Sequence, residues 1–180
     1  DGVYTYQWDD NGNLISKNST TEGLTTYSYD YENKLESVID STGTVSFKYD
    51  GNGNRLSTTK GSLTTQYLVD INQTYAQVLE EIQGSNRITY TYGDDLLKMN
   101  RGGVESFYAY DGLGSCRALT DVSGNVTDVW DYEAFGSVIN RTGSTPNNYL
   151  FTGEQYDPNL GFYYLRSRFY DPATGRFTQR

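Results

Sequence analysis

Histidine is absent from this 180-residue chain, and cysteine occurs once, at Cys116. Without an imidazole, the usual catalytic triads and most zinc or iron sites are excluded. A single cysteine forms neither an intrachain disulfide nor a thiolate metal site. Its neighbours Gly114 and Ser115 favour a packed or edge thiol over a catalytic nucleophile. We therefore expect no cofactor and no bound metal.

Basic residues are scarce as well. The chain has 14 Lys and Arg against 23 Asp and Glu, a net charge of −9. Phosphates need a basic surface, so this balance argues against nucleic acid as a partner and against docking on anionic lipid. No apolar run approaches the roughly 20 residues of a membrane helix, and we expect no membrane insertion. No signal-peptide pattern precedes Asp1, but the sequence opens within a repeat, which predicts that the native N-terminus lies upstream.

What the chain does contain is a pair of residues, usually aromatic then aspartate, that returns about every 20 residues. The first four aspartates follow at intervals of 21, 20 and 20 residues, and two later ones are again 20 apart. The pairs are Trp8-Asp9, Tyr29-Asp30, Tyr49-Asp50, Val69-Asp70, Tyr110-Asp111 and Trp130-Asp131. A fixed period of this size indicates one supersecondary unit copied along the chain. Because one unit cannot bury its apolar face alone, it must stack on its neighbours.

Within a unit, aromatic and polar residues alternate up to the aspartate, as in residues 4–8, and a segment rich in Asp, Asn and Gly follows. Alternation of period two is typical of a half-buried strand, and the following residues favour a turn. Return strands are opened by the aliphatic residues Ile15, Leu35 and Leu56. We predict an all-β fold in which consecutive antiparallel hairpins, with turns at the Asp9, Asp30 and Asp50 clusters, form a long, twisted, spiralling sheet.

Residues 75–82 fit either two turns of helix or a strand, and the surrounding repeats favour the strand. The 18 tyrosines suit a wide sheet surface, because the ring packs while the hydroxyl reaches water or a polar partner. Alternation alone does not orient the sheet, since many of the polar positions are Ser and Thr, which are neutral to either face.

Two of the turns invite a calcium-site interpretation. The alternating ligand positions are matched by Asp9-x-Asn11-x-Asn13 and by Asp50-x-Asn52-x-Asn54. The next position, glycine in helix-flanked calcium loops, is Leu14 or Arg55 here. The twelfth position, glutamate in those loops, is Thr20 or Gly61. Each loop lacks the required residue at these two positions, so structural turns are favoured over a weak surface cation site.

These units resemble the YD repeats of RHS (rearrangement hot spot) proteins, which follow the pattern Tyr-Asp-x-x-Gly-Asn-Arg-Leu. Residues 49–56 fit it with one extra residue after the aspartate. The C-terminal part is similar to the RHS-repeat-associated core domain. Its matching segments are residues 111–126, Tyr132-Glu133-Ala134-Phe135-Gly136, residues 149–154 and the run from Asp157-Pro158 to Phe177. The resemblance divides the chain into YD-repeat hairpins (1–70), degenerate repeats (71–107) and the core domain (108–180).

The resemblance implies a hollow β-shell in a secreted or cell-surface protein. Hairpins spiral into the shell, the core domain closes one end, and a variable C-terminal effector, often a toxin, is enclosed. The expected partners are therefore the chain's own upstream repeats and a C-terminal cargo. In many members an aspartic-protease-like activity of the core cuts just after an Asp-Pro-x-Gly-Leu motif. This sequence stops at Arg180, before that motif.

On this resemblance, Asp157 and Asp171 are the candidate catalytic pair, 14 residues apart and each followed by proline. An aspartic mechanism needs two carboxylates that share a proton and activate a water. Arg168, together with Arg166 and Arg176, is placed to hold a carboxylate ionised or to stabilise an oxyanion. The alternative is structural: Asp-Pro steps start turns, and arginine–carboxylate pairs pin the hairpin. The alternative is favoured for this chain.

The sequence, together with its resemblance to RHS proteins, suggests three functions. The first is a structural shell segment that encapsulates or presents a C-terminal effector. The second is a carbohydrate-binding or adhesion module, in which exposed tyrosines stack on cell-surface glycans. The third is the remnant of a self-cleaving core. Inward-facing tyrosines favour encapsulation, whereas an outward ladder favours glycan contact.

Overall fold

The computed structural model describes residues 4–180, which form 18 strands, one short 3₁₀ helix and no α-helix. The first 14 strands make a single sheet, the wall, in which every strand pairs antiparallel with the next. These strands are Tyr4–Trp8 (β1), Leu14–Ser19 (β2), Gly23–Tyr29 (β3), Leu35–Asp40 (β4), Gly43–Tyr49 (β5), Arg55–Lys60 (β6), Leu63–Asp70 (β7), Gln77–Gln83 (β8), Asn86–Tyr92 (β9), Leu96–Arg101 (β10), Val104–Tyr110 (β11), Cys116–Thr120 (β12), Val126–Tyr132 (β13) and Val138–Thr142 (β14). The predicted all-β fold of consecutive antiparallel strands is confirmed.

A second sheet of four antiparallel strands, the core sheet, follows the 3₁₀ helix Phe151–Gly153. Its strands are Gln155–Asp157 (β15), Phe162–Leu165 (β16), Arg168–Asp171 (β17) and Arg176–Phe177 (β18). The predicted division places boundaries at residues 70/71 and 107/108, but the strand pairing of the wall continues across both. That division stays a prediction. Residues 75–82, for which strand was favoured over helix, contribute most of β8.

The aspartate of each unit builds the turn that ends its strand. In the third unit, Asp50 Oδ1 accepts the backbone N–H groups of Asn52 (2.9 Å) and Asn54 (2.8 Å). Gly53 donates its N–H to the Asp50 carbonyl and has φ +79°, a conformation that glycine adopts without strain. Turns of the same kind stand at the Asp9 and Asp30 clusters, and Asn33 (φ 60°) takes the place of glycine in the second. Local side-chain-to-backbone bonding therefore sets the repeat.

A β-bulge follows each of these turns and shifts the return strand by one residue. Tyr49 pairs with Arg55, but Lys48 pairs with Ser57, so Leu56 is the extra residue. Leu56 is consequently exposed, and Arg55 points inward. In the first unit Ile15 is likewise exposed while its neighbour is buried. The prediction that an aliphatic residue opens each return strand was therefore one position too late in the first and third units, where Leu14 and Arg55 face inward. Of the three predicted residues, only Leu35 is buried.

The repeated tyrosine ties each unit to the one before it. Tyr29 donates its hydroxyl to the Leu14 carbonyl (3.0 Å), and Tyr49 donates to the Leu35 carbonyl (2.8 Å). The same bond recurs later in the wall from Tyr92 to Val78, from Tyr110 to Leu96 and from Tyr132 to Cys116. A phenylalanine would pack as well but would remove this hydrogen bond to the preceding unit, which explains tyrosine at this position.

The wall curls around the core sheet. Alternate residues of β16 face opposite ways: Phe162 and Tyr164 pack in a cluster with Phe47 and other residues of β2–β5, whereas Tyr163 packs with Trp130 and other residues of β9–β13. Both faces of one strand are therefore covered by distant parts of the same 14-stranded sheet. The repeat tyrosines lie in or against these two clusters, so they line the inner side of the wall.

Candidate functional site

The two candidate catalytic aspartates lie in the core sheet on either side of one strand. Asp157 ends β15 and pairs with Phe162, while Asp171 ends β17 one residue beyond Tyr170, which pairs with Tyr163. Strand β16 therefore separates them, and two strand spacings place their backbones about 10 Å apart. Both residues are buried, at 3% and 5% exposure. Each caps its own turn: Asp157 Oδ1 accepts the Asn159 N–H (3.0 Å), and Asp171 Oδ1 accepts the Ala173 N–H (2.9 Å).

Two of the three nearby arginines, Arg166 and Arg168, are engaged elsewhere. Arg166 donates to both carboxylate oxygens of Glu154 at 2.9 Å. Arg168 is exposed, and its guanidinium stacks 3.8 Å from the centre of the Phe177 ring. Arg176 pairs with Asp171 in the β17–β18 ladder. The structure does not bring Arg166 or Arg168 to Asp157, and their catalytic role stays a prediction.

The cation that meets Asp157 comes instead from the wall. Arg55 Nη1 donates to Asp157 Oδ2 at 2.9 Å, across 102 residues of sequence, and Arg55 Nη2 donates to Gln155 Oε1 at 2.6 Å. Both charged side chains are almost completely buried, at 2% and 3% exposure. The Arg55 guanidinium also lies over the Tyr164 and Tyr67 rings. Burial lowers the pKa of Arg55, but the neighbouring Tyr67 and Asp157 outweigh it and hold that pKa above its usual value.

Sequence reasoning missed Arg55, although a signal was available. Arg55 occupies the inward position after the bulge, where the equivalent residues in other units are Leu14, Leu35 and Cys116. A charge at an inward position of a repeat is costly unless it is paired. The aspartate that pairs with it could not be identified from spacing, because it lies in a different sheet.

The buried pair continues into a polar network that links the two sheets. Gln155 Nε2 donates to Glu81 Oε1 (2.8 Å), and the Tyr90 hydroxyl donates to the same oxygen (2.9 Å). Burial raises the pKa of Glu81, opposed by the Tyr90 hydrogen bond and by Arg55. Arg55 and Glu81 belong to wall strands β6 and β8, and Gln155 and Asp157 to core strand β15. The network therefore fixes the core sheet against the middle of the wall.

The C-terminal end of the chain lies inside the curled wall. Leu14 donates its N–H to the Thr178 carbonyl (2.8 Å), and Gln179 Nε2 donates to the Asn33 carbonyl (3.3 Å). Thr178 and Gln179 are 1% and 4% exposed. Thr178 and Gln179 are thus held against the inner side of the first hairpins, and the exposed Arg180 lies beside Gly12 in the first turn.

Cys116 lies in the inner core and is fully buried. Its Sγ is 3.7 Å from Asn147 Nδ2, and burial raises the pKa of the thiol to about 12. Within residues 4–180, no three His, Cys, Asp or Glu side chains are grouped to hold a metal ion. In the first suspected calcium loop, the Asp9 carboxylate binds the backbone and side-chain N–H groups of Asn13, and the backbone bond lowers the Asp9 pKa.

A family model described as the Teneurin YD-shell matches residues 2–180. The chain belongs to the Teneurin YD-shell family. This confirms the resemblance to RHS and YD-repeat proteins, and the curled wall around a small inner sheet is the YD-shell fold. No helix in the described part of this YD-shell chain is long and apolar enough to cross a membrane.

Curated relatives of different kinds match nearly all of the chain. The tRNA3(Ser)-specific nuclease WapA of Bacillus spizizenii is 34% identical over 94% of this chain, which spans 7% of the nuclease. The double-stranded DNA deaminase toxin A of Burkholderia cenocepacia is 24% identical over 96% of this chain, which spans 15% of the toxin. A crystal structure of TcdB2-TccC3 matches 98% of this chain with a TM-score of 0.67 at 15% identity, over 12% of its own length. That structure shares the fold.

Proposed function

We propose that this YD-shell chain is a structural segment that encloses and presents an effector joined after Arg180. The relatives carry two different activities in their names, a tRNA nuclease and a DNA deaminase, yet share this same module over 7% and 15% of their lengths. A module common to both is better explained as a carrier than as the source of either activity. The active part then lies in the remaining length.

The observation that carries the proposal is the position of the chain end. Thr178 and Gln179 are buried against the inner side of the wall, and Arg180 is exposed beside Gly12 in the first turn, so a segment joined to Arg180 starts next to the inner side of the shell. The repeat tyrosines also point inward, which favours encapsulation over a glycan-binding outer ladder. At the opposite edge, β1 pairs only with β2 among residues 4–180, so its other side is open to upstream repeats.

The test places a protease site in the complete parent protein at two alternative positions. One is 20–30 residues after Arg180, an interval chosen on the order of a short flexible linker; the other is in the exposed Ser41-Thr42 turn of the wall. We expect rapid cutting at the wall turn and protection after Arg180 until the shell is denatured. Equal cutting rates at both positions in the native protein would overturn the proposal.

The shell is further proposed to act outside the cell, secreted or at the surface. The support is the toxin among the relatives and the 32% identity, over 62% of this chain, to salivary gland surface protein 1 of Aedes aegypti. Fractionation of cells that express the parent protein tests this proposal. Recovery only from the cell interior would contradict it.

Self-cleavage is a second proposed function, favoured by the burial of two aspartates that flank one core strand. In this proposal Asp157 and Asp171 act with a further carboxylate of an Asp-Pro-x-Gly-Leu tail. The test adds that tail and looks for a cut product on a gel. Cleavage that disappears in both Asp157→Asn and Asp171→Asn would support a catalytic pair. Cleavage unaffected by either change would leave both residues with the structural role of capping their turns.

A further inference from the structure

The inner side of the wall changes from apolar to polar between the two hydrophobic clusters. On β6 to β9 the residues that line this side include the paired Thr58 and Thr65 and, exposed at the end of the β8–β9 hairpin, the paired Gln83 and Asn86. Apolar side chains fill the equivalent positions where the core sheet packs. Here the two sheets instead leave a cavity of about 720 Å³. That volume lies within the range of sites that hold a single ligand.

The cavity is electropositive in a chain whose net charge is −9. Four cations line it, Arg55, Lys60, Arg87 and Arg101, against the carboxylates Asp157 and Glu81. Asp157 neutralises Arg55, and Arg87 pairs with a glutamate outside the lining. Neither of the remaining two cations forms an ion pair with any residue in the described range 4–180. Lys60 and Arg101 therefore leave an unbalanced positive charge opposite the single carboxylate of Glu81.

The hydrogen-bonding groups of the lining are also incompletely used. The Nε atoms of Arg55 and Arg101 are buried, and neither has a hydrogen-bond partner among the residues that the structure describes. Arg101 Nη2 donates one hydrogen bond to the Pro146 carbonyl (3.1 Å). The amide and hydroxyl side chains of the lining can both donate and accept, as the groups of a peptide backbone require.

We propose that this cavity binds an extended acidic peptide segment, with its carboxylates held by Lys60 and Arg101 and its backbone by the lining amides and hydroxyls. Lys60 and Arg101 supply charge-assisted hydrogen bonds to the carboxylates of the peptide. The threonine and amide side chains of the lining supply neutral hydrogen bonds to its backbone. The identity of the segment rests on the proposed function: in a closed shell it would belong to the enclosed effector. All residues of the site belong to this chain, and binding is measured in the parent protein truncated after Arg180, separately from the protection of the effector.

The test measures binding of a synthetic peptide of alternating Glu and Ser by calorimetry, with a Gln-Ser peptide of equal length as the neutral control. We expect the acidic peptide to bind, more weakly as salt is added, and the neutral one to bind at least about tenfold more weakly, the loss of one charged hydrogen bond. Lys60→Met and Arg101→Met should each weaken the acidic peptide by about tenfold. Lys48→Met, which removes the same charge from an exposed position on the neighbouring strand, should leave binding unchanged.

Circular dichroism of each variant separates a lost site from a lost fold. Equal affinity for the neutral peptide, or an equal effect of Lys48→Met, would overturn the inference. Full displacement of the peptide by inorganic phosphate at equal charge concentration would overturn its assignment to a peptide. If the peptide does not bind but the segment after Arg180 is protected from protease, this site is rejected and encapsulation stands. If the peptide binds but that segment is not protected, encapsulation is rejected and the site stands.

Discussion

Replacing Arg55 by methionine removes a buried cation but keeps most of the apolar length of its side chain. The change leaves the Asp157 carboxylate at 3% exposure without the guanidinium that now lies 2.9 Å away, and it leaves Gln155 Oε1 without its donor. Breaking a buried ion pair from one side costs about 3–5 kcal/mol, because the remaining charge stays desolvated. We expect a loss of that size in the free energy of unfolding.

Urea unfolding followed by tryptophan fluorescence measures this loss, since Trp130 is 2% exposed in the native wall. The matched control is Arg166→Met, which breaks an arginine–carboxylate pair of the same 2.9 Å length whose side chains are 37% and 22% exposed. Exposed pairs contribute about 0–1 kcal/mol, so the control should change stability little.

A double variant isolates the ion pair from the packing of Arg55. Asp157→Asn keeps an oxygen for the Asn159 N–H while removing the charge, so Arg55→Met combined with Asp157→Asn should recover part of the loss seen in Arg55→Met alone. The reasoning is refuted if Arg55→Met costs no more than Arg166→Met. It is equally refuted if the losses of the two single variants simply add.

Three further predictions concern single residues. Because burial raises the pKa of Glu81, the native state binds the proton of this carboxyl more tightly than the unfolded state does, so stability should fall as pH rises from 4.5, the ordinary pKa of a glutamate, through the higher native pKa. Glu81→Gln should flatten this dependence of unfolding free energy on pH between pH 5 and 8. An unchanged slope would exclude Glu81 as its source. Asp50→Ala removes the acceptor of two turn N–H groups and should lower the free energy of unfolding in urea by about 1 kcal/mol. Asp10→Ala in the first turn is the control and should cost less. If Asp50→Ala costs no more than this control, the turn role of Asp50 is contradicted. Cys116, buried and with its pKa raised to about 12, should react with a thiol reagent at the rate of global unfolding, and fast labelling of the folded chain would show that it is accessible.

The local features of this protein are determined by its sequence alone. Aromatic alternation predicts the strands, and the aspartate, asparagine and glycine clusters predict the turns, because both depend on residues within about five positions of one another. The repeat period then implies consecutive hairpins, since an identical unit finds its neighbour as its nearest partner. Residues 75–82 illustrate the dependence on context: their own pattern fits helix or strand, and the neighbouring strands favour the strand.

Only the tertiary structure decided which side of the sheet is buried and what meets across it. Period-two alternation is the same on either face, so it does not show that the tyrosines point inward, and a one-residue bulge exchanged Leu56 for Arg55 at the inward position. The partner of Asp157 was expected among the arginines of its own hairpin but is Arg55, 102 residues earlier. Such a pairing depends on how the wall curls around the core sheet. That curl brings distant strands of the wall against both faces of β16, and no local pattern encodes it.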